Sequence, residues 1–311
     1  MSIREFRPGD RVEGFFLLSG AYSKQSANGK PFLSVELGDA SGTIEGKVWD
    51  YSGPVSPADT GAVVKIRGMV SEFRGAPQVT VEQIRLAVPG DVYNVKTLVP
   101  AAPLDEDDAR RELLALVGSI ADDDYRRVCQ KVLEHYGERF FTIPAAKTVH
   151  HGFLHGLLMH TLFMARTADY LAGLYAGVID RSLLLAGTIL HDAAKCEEFN
   201  TSPLGLVTEY SNRGQLLGHL VMGAQTVAAC AGVLGIPEEK STLLQHLLLS
   251  HHGQPEFGAA VVPICAESEL LSLIDTMDSR MEIYREVLDQ TPAGTCSSRI
   301  FALEHRVYHH Q

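Results

Sequence analysis

The sequence is poor in cysteine and contains no closely spaced cysteine pair. Its five cysteines are Cys129, Cys196, Cys230, Cys265 and Cys296, and no CxxC motif occurs. This spacing argues against a disulfide framework and against a zinc site built from thiolates. It is typical of proteins in a reducing compartment, so we expect a cytoplasmic protein.

The sequence also lacks long apolar runs. The first ten residues, MSIREFRPGD, are rich in charge and contain no apolar core of a leader sequence. The apolar run at residues 183–190 is far shorter than the roughly 20 residues that cross a bilayer. We therefore expect neither a signal peptide nor a membrane partner.

An excess of basic residues is missing as well. The net charge is -11, which by itself argues against a nucleic-acid partner. The charge is unevenly distributed, because residues 1–91 hold 10 Lys and Arg against 11 Asp and Glu, and the remainder holds 17 against 27. An acidic region can still bind phosphates if bound metal ions supply the positive charge.

Residues 1–90 have the pattern of a small β-domain. Five short, partly alternating apolar segments are separated by turn sequences such as SANGK, GDASG and FRGAP. Five strands within about 80 residues are typical of the OB-fold, a five-stranded closed barrel. A β-sandwich is the alternative, although the segment has too few strands for one.

Alternation within two of these strands predicts a surface for single-stranded nucleic acid. If Leu33 and its alternate neighbours face the core, then Phe32, Lys47 and Trp49 face outward on adjacent strands. Outward aromatic rings beside a lysine form a platform on which bases stack. The alternative is that Trp49 caps the barrel end or packs against the second domain.

Beyond a linker at residues 91–107, residues 108–311 form a predicted all-α domain. Helical periodicity occurs at residues 108–136, 153–176, 181–195, 215–234, 239–251 and 266–289. One interruption, EEFNTSPLGLVTEYSNRG, has the composition of a hairpin or loop.

Histidine and aspartate residues recur on these apolar helices. Taken singly, each has a structural explanation: a lone histidine is usually a hydrogen-bonded core residue, and Asp278 can pair with Arg280. Taken together, so many buried titratable groups are costly unless they share a partner, and a divalent metal ion is such a partner. The residues concerned are His160, His191 with the adjacent Asp192, His219, His251, His252, Asp275 and Asp278.

The order of a histidine, a His-Asp pair and a late aspartate resembles the HD superfamily of metal-dependent phosphohydrolases. The motifs PAAKTVHH, TEYSNRGQLLGH, LSHHG and SRIFALEHRVY, together with the OB-like barrel, are similar to YhaM-type 3′-5′ exoribonucleases of bacteria. The resemblance covers nearly the whole chain. The HD dipeptide alone is a weak signal, but the ordered set is specific.

The resemblance implies two metal positions. It assigns His160, His191, Asp192 and Asp275 to the first ion. Asp192 then bridges to a second ion that is held with His219 and His251, and His252 is a further candidate ligand. Lys195 corresponds to the lysine of the HDxxK form of the motif, where it would contact the scissile phosphate. The alternatives for Lys195 are a solvated charge or an ion pair with Glu197 or Glu198.

Three residues before the first ligand helix complete the candidate site. Lys147, His150 and His151 either bind phosphates at its entrance or form a polar loop, whereas we expect His155 and His246 to be structural.

The implied activity is hydrolysis of single-stranded RNA from the 3′ end to nucleoside monophosphates, and the resemblance leaves DNA open as a second substrate. We expect two divalent ions, Mn²⁺ before Co²⁺, Fe²⁺, Ni²⁺, Zn²⁺ or Mg²⁺. Two alternatives stay open: an HD phosphohydrolase acting on a nucleotide or cyclic dinucleotide, and a nucleic-acid-binding module with an inert HD domain. The apolar helices also allow a homo-oligomer.

Overall fold

The structure, a computed structural model, describes residues 2–26, 28–73, 75–146, 152–202 and 204–311. Its contacts divide the chain into two compact units. The first comprises Met1–Ala101 with Thr201–Thr208, and the second comprises Ala102–Asn200 with Glu209–Gln311. The predicted linker, residues 91–107, is therefore divided between the two units.

The first unit contains a closed barrel of five strands, as the sequence predicted. The strands follow one another around the barrel in the order β1-β2-β3-β5-β4. Its neighbouring strands pair antiparallel except β3 and β5, which pair parallel. The strands are β1 (Arg11–Gln25), β2 (Pro31–Asp39), β3 (Gly42–Trp49), β4 (Val63–Phe73) and β5 (Ala76–Leu86).

Side-chain alternation determines which face of each strand fills the barrel. Leu33, Val35 and Leu37 of β2 are buried, and so are Ile44 and Val48 of β3. Because successive side chains point to opposite faces of a strand, the residues between them lie on the outside. The predicted inward and outward faces of β2 and β3 are therefore confirmed.

The second unit is mostly helical. The predicted segment at residues 108–136 is in fact two helices, because the Asp122 carboxylate accepts hydrogen bonds from the backbone N–H groups of Asp124 and Tyr125 and starts a new helix. The helices are α1 (Glu106–Gly118), α2 (Asp123–Tyr136), α3 (Glu138–Thr142), α4 (Gly156–Leu174), α5 (Arg181–Leu190), α6 (Lys195–Glu198), α7 (Asn212–Leu234), α8 (Glu238–Ser250) and α9 (Ala266–Gln290).

Two short hairpins accompany the helices in the described part of the chain, one between α6 and α7 and one after α9. The predicted interruption contains the strands β6 (Phe199–Thr201) and β7 (Val207–Tyr210). A C-terminal hairpin of β8 (Thr295–Ile300) and β9 (His305–His309) was not predicted. It is stabilised by a small separate core in which Leu303 and Val307 pack with Ile283 of α9.

The helix α7 has the length and composition of a membrane-crossing segment. A core helix satisfies the same criteria, and the buried Met222 and Val227 of α7 belong to the main hydrophobic core.

The main hydrophobic core also contains Leu190, Leu248 and Ile274, so the apolar faces of α5, α8 and α9 converge where the predicted metal ligands begin.

Candidate metal centre

All seven predicted metal ligands meet in one cluster inside the helical unit. They are His160 on α4, His191 and Asp192 after α5, His219 on α7, His251 and His252 after α8, and Asp275 on α9. Three overlapping sets of ligand atoms each lie within 4.8 Å of one another. The sets are His160 with His191 and Asp275, His191 with Asp192 and His251, and His219 with His251 and His252.

Backbone carbonyl groups fix the orientation of two of the rings. His191 Nδ1 lies 2.8 Å from the carbonyl oxygen of Thr188, and His251 Nδ1 lies 2.8 Å from that of Leu248. A carbonyl only accepts hydrogen bonds, so each Nδ1 must carry a proton. The Nε2 lone pair of each ring is then directed into the cluster, as metal ligation requires.

Two carboxylates that were not predicted as part of the site orient two further rings. His160 Nδ1 donates to Asp278 at 2.7 Å, and His219 Nδ1 donates to Glu198 at 3.0 Å. The proposed pairing of Asp278 with Arg280 is therefore not its main contact. Asp278 follows the ligand Asp275 by one helical turn, and that spacing is the sequence signal by which it was identifiable.

The two oxygens of Asp192 face different histidines. Its Oδ2 lies 3.6 Å from His160 Nε2 and 3.4 Å from His191 Nε2, whereas its Oδ1 lies 3.3 Å from His219 Nε2 and 3.8 Å from His251 Nε2. A carboxylate placed in this way offers one oxygen to each half of the cluster.

Unpaired polar atoms at the centre of the cluster show that the residues fit a cation. Asp192 Oδ1, His219 Nε2 and His252 Nδ1 are buried and have no hydrogen-bond partner among the described residues. Buried polar atoms without a partner cost about 1–3 kcal/mol each. Imidazole nitrogens and carboxylate oxygens are ligands for divalent transition metals, so bound metal would satisfy them.

The barrel brings its predicted aromatic residues together. Phe32 and Trp49 are paired across β2 and β3, with their ring centroids 4.8 Å apart, and Lys47 Nζ lies 5.6 Å from the Phe32 centroid. Lys47 also donates to Ser34 and forms an ion pair with Glu45, so a phosphate must compete with that carboxylate.

The same face extends onto β1, which the sequence analysis did not include. Lys24 is in register with Phe32, and its Nζ lies 5.6 Å from the centroid of the Tyr22 ring. Tyr22 and Trp49 are both more than half exposed. A register shift between Leu18 and Gly20 breaks the alternation of β1. For this reason the sequence pattern did not predict that Tyr22 and Lys24 lie on this face.

Comparison with known proteins agrees with both units. Residues 157–280 match the model of the HD domain family, and residues 20–87 match that of an OB-fold nucleic acid binding domain. The chain is 34% identical over 312 residues to the 3′-5′ exoribonuclease YhaM of Geobacillus sp. (strain WCH70), with 99% of this chain and 94% of the relative covered.

Two further relatives carry the same description. The chain is 35% identical to the YhaM of Halalkalibacterium halodurans, with 98% of this chain and 94% of the relative covered. It is 34% identical to the YhaM of Listeria welshimeri, with 98% of this chain and 96% of the relative covered. The chain belongs to the YhaM 3′-5′ exoribonuclease family. The family resemblance and the fold class expected from the sequence are both confirmed.

In this YhaM-family protein the central carboxylates stay ionised although they are buried. Burial raises the pKa of Asp192, but the charges of Lys195 and His191 outweigh it and hold that pKa well below its ordinary value. Burial lowers the pKa of His160, yet Asp275 and Asp278 outweigh this effect and raise it to about 10. The cluster therefore attracts positive charge, and a cation competes with protons for the same ligand atoms.

His252 lies on the side of the cluster formed by His219 and His251. Its ring centroid is 4.4 Å from that of His251 and 5.3 Å from that of His219. Burial and the neighbouring His219 both lower its pKa, which favours the neutral form that binds metal. The geometry thus groups His252 with the second half of the YhaM centre.

Lys195 belongs to the centre itself. Its Nζ donates to Asp192 Oδ2 at 2.6 Å, and its side chain is 17% exposed. The alternatives of a solvated charge or an ion pair with Glu197 or Glu198 are therefore wrong. Burial opposes its charged form, but Asp192 outweighs that effect and raises the pKa of Lys195, so the ammonium is retained.

A cavity of about 180 Å³ opens onto this YhaM centre. Its walls include Lys195, Ser279 and the backbone region of Ala145 and Ala146. The predicted phosphate-contacting residues that follow in sequence, Lys147, His150 and His151, lie outside the described residues. The two histidines expected to be structural are bonded within the fold, His155 to the Phe141 carbonyl and His246 to the Ile264 N–H.

Proposed function

We propose that this protein is a metal-dependent 3′-5′ exoribonuclease that hydrolyses single-stranded RNA to nucleoside monophosphates. The observation that carries the proposal is Asp192, whose oxygens face separate pairs of histidines at 3.3–3.8 Å in a member of the YhaM family. Hydrolysis of a phosphodiester requires stabilisation of both the attacking and the leaving oxygen, which a bridged pair of ions provides.

We further propose that the centre holds two divalent ions, with Mn²⁺ as the native metal. Bound ions of this kind supply activated water and neutralise phosphate charge. The first position is formed by His160, His191, Asp192 and Asp275. The second is formed by Asp192 with His219, His251 and His252.

Lys195 is proposed to hold the scissile phosphate. Its ammonium lines the cavity and is held in place by Asp192. A phosphate that enters the cavity meets a fixed positive charge, which remains charged because its pKa is raised. Lys195 is not itself a metal ligand, since an ammonium has no lone pair to offer a metal.

The barrel is proposed to bind the RNA strand upstream of its 3′ end. Trp49 and Phe32 offer stacking surfaces on neighbouring strands, and Tyr22 with Lys24 continues them onto β1. Stacking tolerates any base, which suits an enzyme that degrades many sequences. DNA of the same sequence has the same stacking surfaces, so we propose that it binds here too.

The proposal is tested with a 20-nucleotide RNA labelled at its 5′ end. With Mn²⁺ we expect a ladder of products shortened from the 3′ end, and a block on cleavage when the terminal 3′ linkage is a phosphorothioate. The variants His191→Ala and Asp192→Ala should be inactive. Activity confined to mononucleotides or cyclic dinucleotides, or wild-type rates in either variant, would contradict the proposal.

Two further proposals concern the cellular setting. We propose that the protein is cytoplasmic, which is supported by five unpaired cysteines, of which Cys296 is exposed. Cell fractionation tests this proposal.

We also propose self-association through exposed apolar helix faces, such as Leu273 and Met281 on α9. Light scattering at several protein concentrations tests it, and a monomer at all of them would refute it.

A further inference from the structure

His219 stands at a break in its own helix. Gly218 has φ 69° and ψ 163°, which is not helical, so α7 consists of two helical parts joined at this residue. A positive φ of this kind is readily adopted by glycine and is strained in other residues. His219 therefore starts a new helical part, and its backbone N–H lacks an acceptor from the preceding turn.

Glu198 supplies that acceptor. Its Oε1 accepts a hydrogen bond from the backbone N–H of His219 at 3.0 Å, and the same carboxylate accepts from the His219 ring Nδ1 at 3.0 and 3.1 Å. The Glu198 side chain is only 7% exposed. One carboxylate thus fixes both the backbone and the ring of a single metal ligand.

Glu198 is itself held in place by the first part of α7. Its backbone carbonyl accepts from the Ser211 N–H at 2.8 Å. Gly214 packs so closely on it that an added Cβ would lie 2.4 Å from the Glu198 carbonyl oxygen. These contacts fix the backbone of Glu198 at the start of α7, and the Glu198 carboxylate in turn sets the direction of the His219 ring.

The ring can point its Nε2 lone pair at the metal position only when Nδ1 carries the proton. Glu198 fixes that proton, because an ionised carboxylate accepts hydrogen bonds and cannot donate them. His219 Nε2 then faces Asp192 Oδ1 at 3.3 Å. On the Oδ2 side of Asp192, the Asp278 carboxylate likewise accepts a hydrogen bond from Nδ1 of His160 and orients that ring. Each half of the centre has its own orienting carboxylate.

We propose that Glu198 is a positioning residue that sets the affinity of the second metal position and leaves the first unchanged. This inference rests on the proposed two-ion centre. Carboxylates that orient ligating histidines typically change metal affinity by 10–100-fold when they are replaced. The division follows from geometry, since within the described part of the chain Glu198 bonds to the ligand on the Asp192 Oδ1 side and Asp278 bonds to the ligand on the Oδ2 side.

The test compares Glu198→Ala, Glu198→Gln and Asp278→Ala with Glu197→Ala, which removes the neighbouring carboxylate that pairs with Arg213. Bound Mn²⁺ is counted by mass spectrometry and titrated by calorimetry. For one of two ions we expect about 100-fold weaker binding in Glu198→Ala and about tenfold weaker binding in Glu198→Gln. Asp278→Ala should weaken the other ion, and Glu197→Ala should change neither.

A second readout is independent of metal loading. In metal-free protein with ¹⁵N-labelled histidine, long-range NMR correlations should show His219 protonated at Nδ1. Glu198→Ala should give a mixture of the two tautomers, whereas Glu197→Ala should not. A single unchanged tautomer in Glu198→Ala, or wild-type affinity for both ions in Glu198→Gln, would overturn the inference, and the Gln variant decides the matter if the Ala variant does not fold.

The two proposals fail in different ways. If the wild-type protein binds a single ion, the two-ion centre is wrong, and the NMR measurement still decides whether Glu198 orients His219. If the wild-type protein binds two ions and both glutamate variants bind them equally well, Glu198 has no positioning role and the two-ion centre stands.

Discussion

Asp192 Oδ1 and His219 Nε2 lie 3.3 Å apart, and neither of these buried atoms has a hydrogen-bond partner among the described residues. Because Glu198 accepts a hydrogen bond from Nδ1 of His219, Nε2 of the neutral ring and Asp192 Oδ1 face each other with lone pairs. Two such atoms repel each other unless a cation lies within reach of both. The folded protein therefore favours a bound cation between Asp192 Oδ1 and His219 Nε2, where no described side chain donates a hydrogen bond.

Metal ions should therefore stabilise the native state. We expect addition of Mn²⁺ at about 100 times its dissociation constant to add about 2.7 kcal/mol and to raise the melting temperature of the helical unit by about 5–10 °C. Differential scanning calorimetry after dialysis against EDTA measures this shift.

The Asp192→Ala variant should lose the Mn²⁺-dependent shift, since both of the proposed metal positions include this carboxylate. Asp289→Ala is the matched control, because Asp289 is an exposed aspartate in the helix that carries Asp275. A full shift in Asp192→Ala would show that the ions bind elsewhere.

Lys195 should affect the rate and not the metal content. We expect Lys195→Ala to lower kcat about 100-fold, the usual effect of removing one electrostatic contact to the transition state, while both ions remain bound. Lys131→Ala, which removes a lysine paired with Glu134 on α2, should be neutral. Loss of an ion from Lys195→Ala would instead assign Lys195 a structural role.

The sequence was sufficient to predict which histidines and aspartates the fold brings together, because their signal lies in order and spacing along the chain. The positions of His160, His191 and Asp275 among apolar helical residues point to one shared partner. The alternation in β2 and β3 was likewise sufficient to place Phe32 and Trp49 on the outer face of the barrel, because a strand has only two faces.

The orienting carboxylates were not predictable in the same way. Asp278 contacts a histidine that is 118 residues away, and Glu198 contacts one that is 21 residues away, so tertiary packing determines which histidine each carboxylate orients. The break at Gly218 was also missed, because the apolar periodicity of α7 continues across it. The C-terminal hairpin depends on packing against Ile283, which its own short strands do not indicate.

The barrel face should contribute to RNA binding and not to the chemical step. We expect Trp49→Ala, Phe32→Ala and Tyr22→Ala each to weaken binding of a single-stranded RNA by about 1–3 kcal/mol, or roughly 5- to 150-fold. Fluorescence anisotropy in EDTA, which prevents cleavage, measures the dissociation constant.

Hydrolysis of a dinucleotide should be unaffected by these substitutions, because so short a substrate has no bases left for the barrel. Tyr170→Ala is the control, since Tyr170 is a highly exposed aromatic residue on α4 of the helical unit. If Trp49→Ala and Tyr170→Ala bind RNA equally well, the barrel face is not the binding surface.

The close approach of α5 and α8 beneath the metal centre should be essential to its geometry. A Cβ added at Gly187 would lie 2.2 Å from Leu247 Cδ2, and these two helices end at His191 and His251. We expect Gly187→Ala to destabilise the protein by about 1–3 kcal/mol and to weaken Mn²⁺ binding, because the helices that carry both ligands must move apart.

Urea denaturation, with and without Mn²⁺, measures the effect of Gly187→Ala. Gly173→Ala is the control, because an added Cβ there meets no neighbouring atom within 4 Å. Leu247→Ala alone should cost about 2–5 kcal/mol by creating a cavity. In the double variant the new methyl group occupies part of that cavity, so the combined loss should fall short of the sum by about 0.5–3 kcal/mol. Strict additivity would show that Gly187 and Leu247 do not determine the spacing of the two helices.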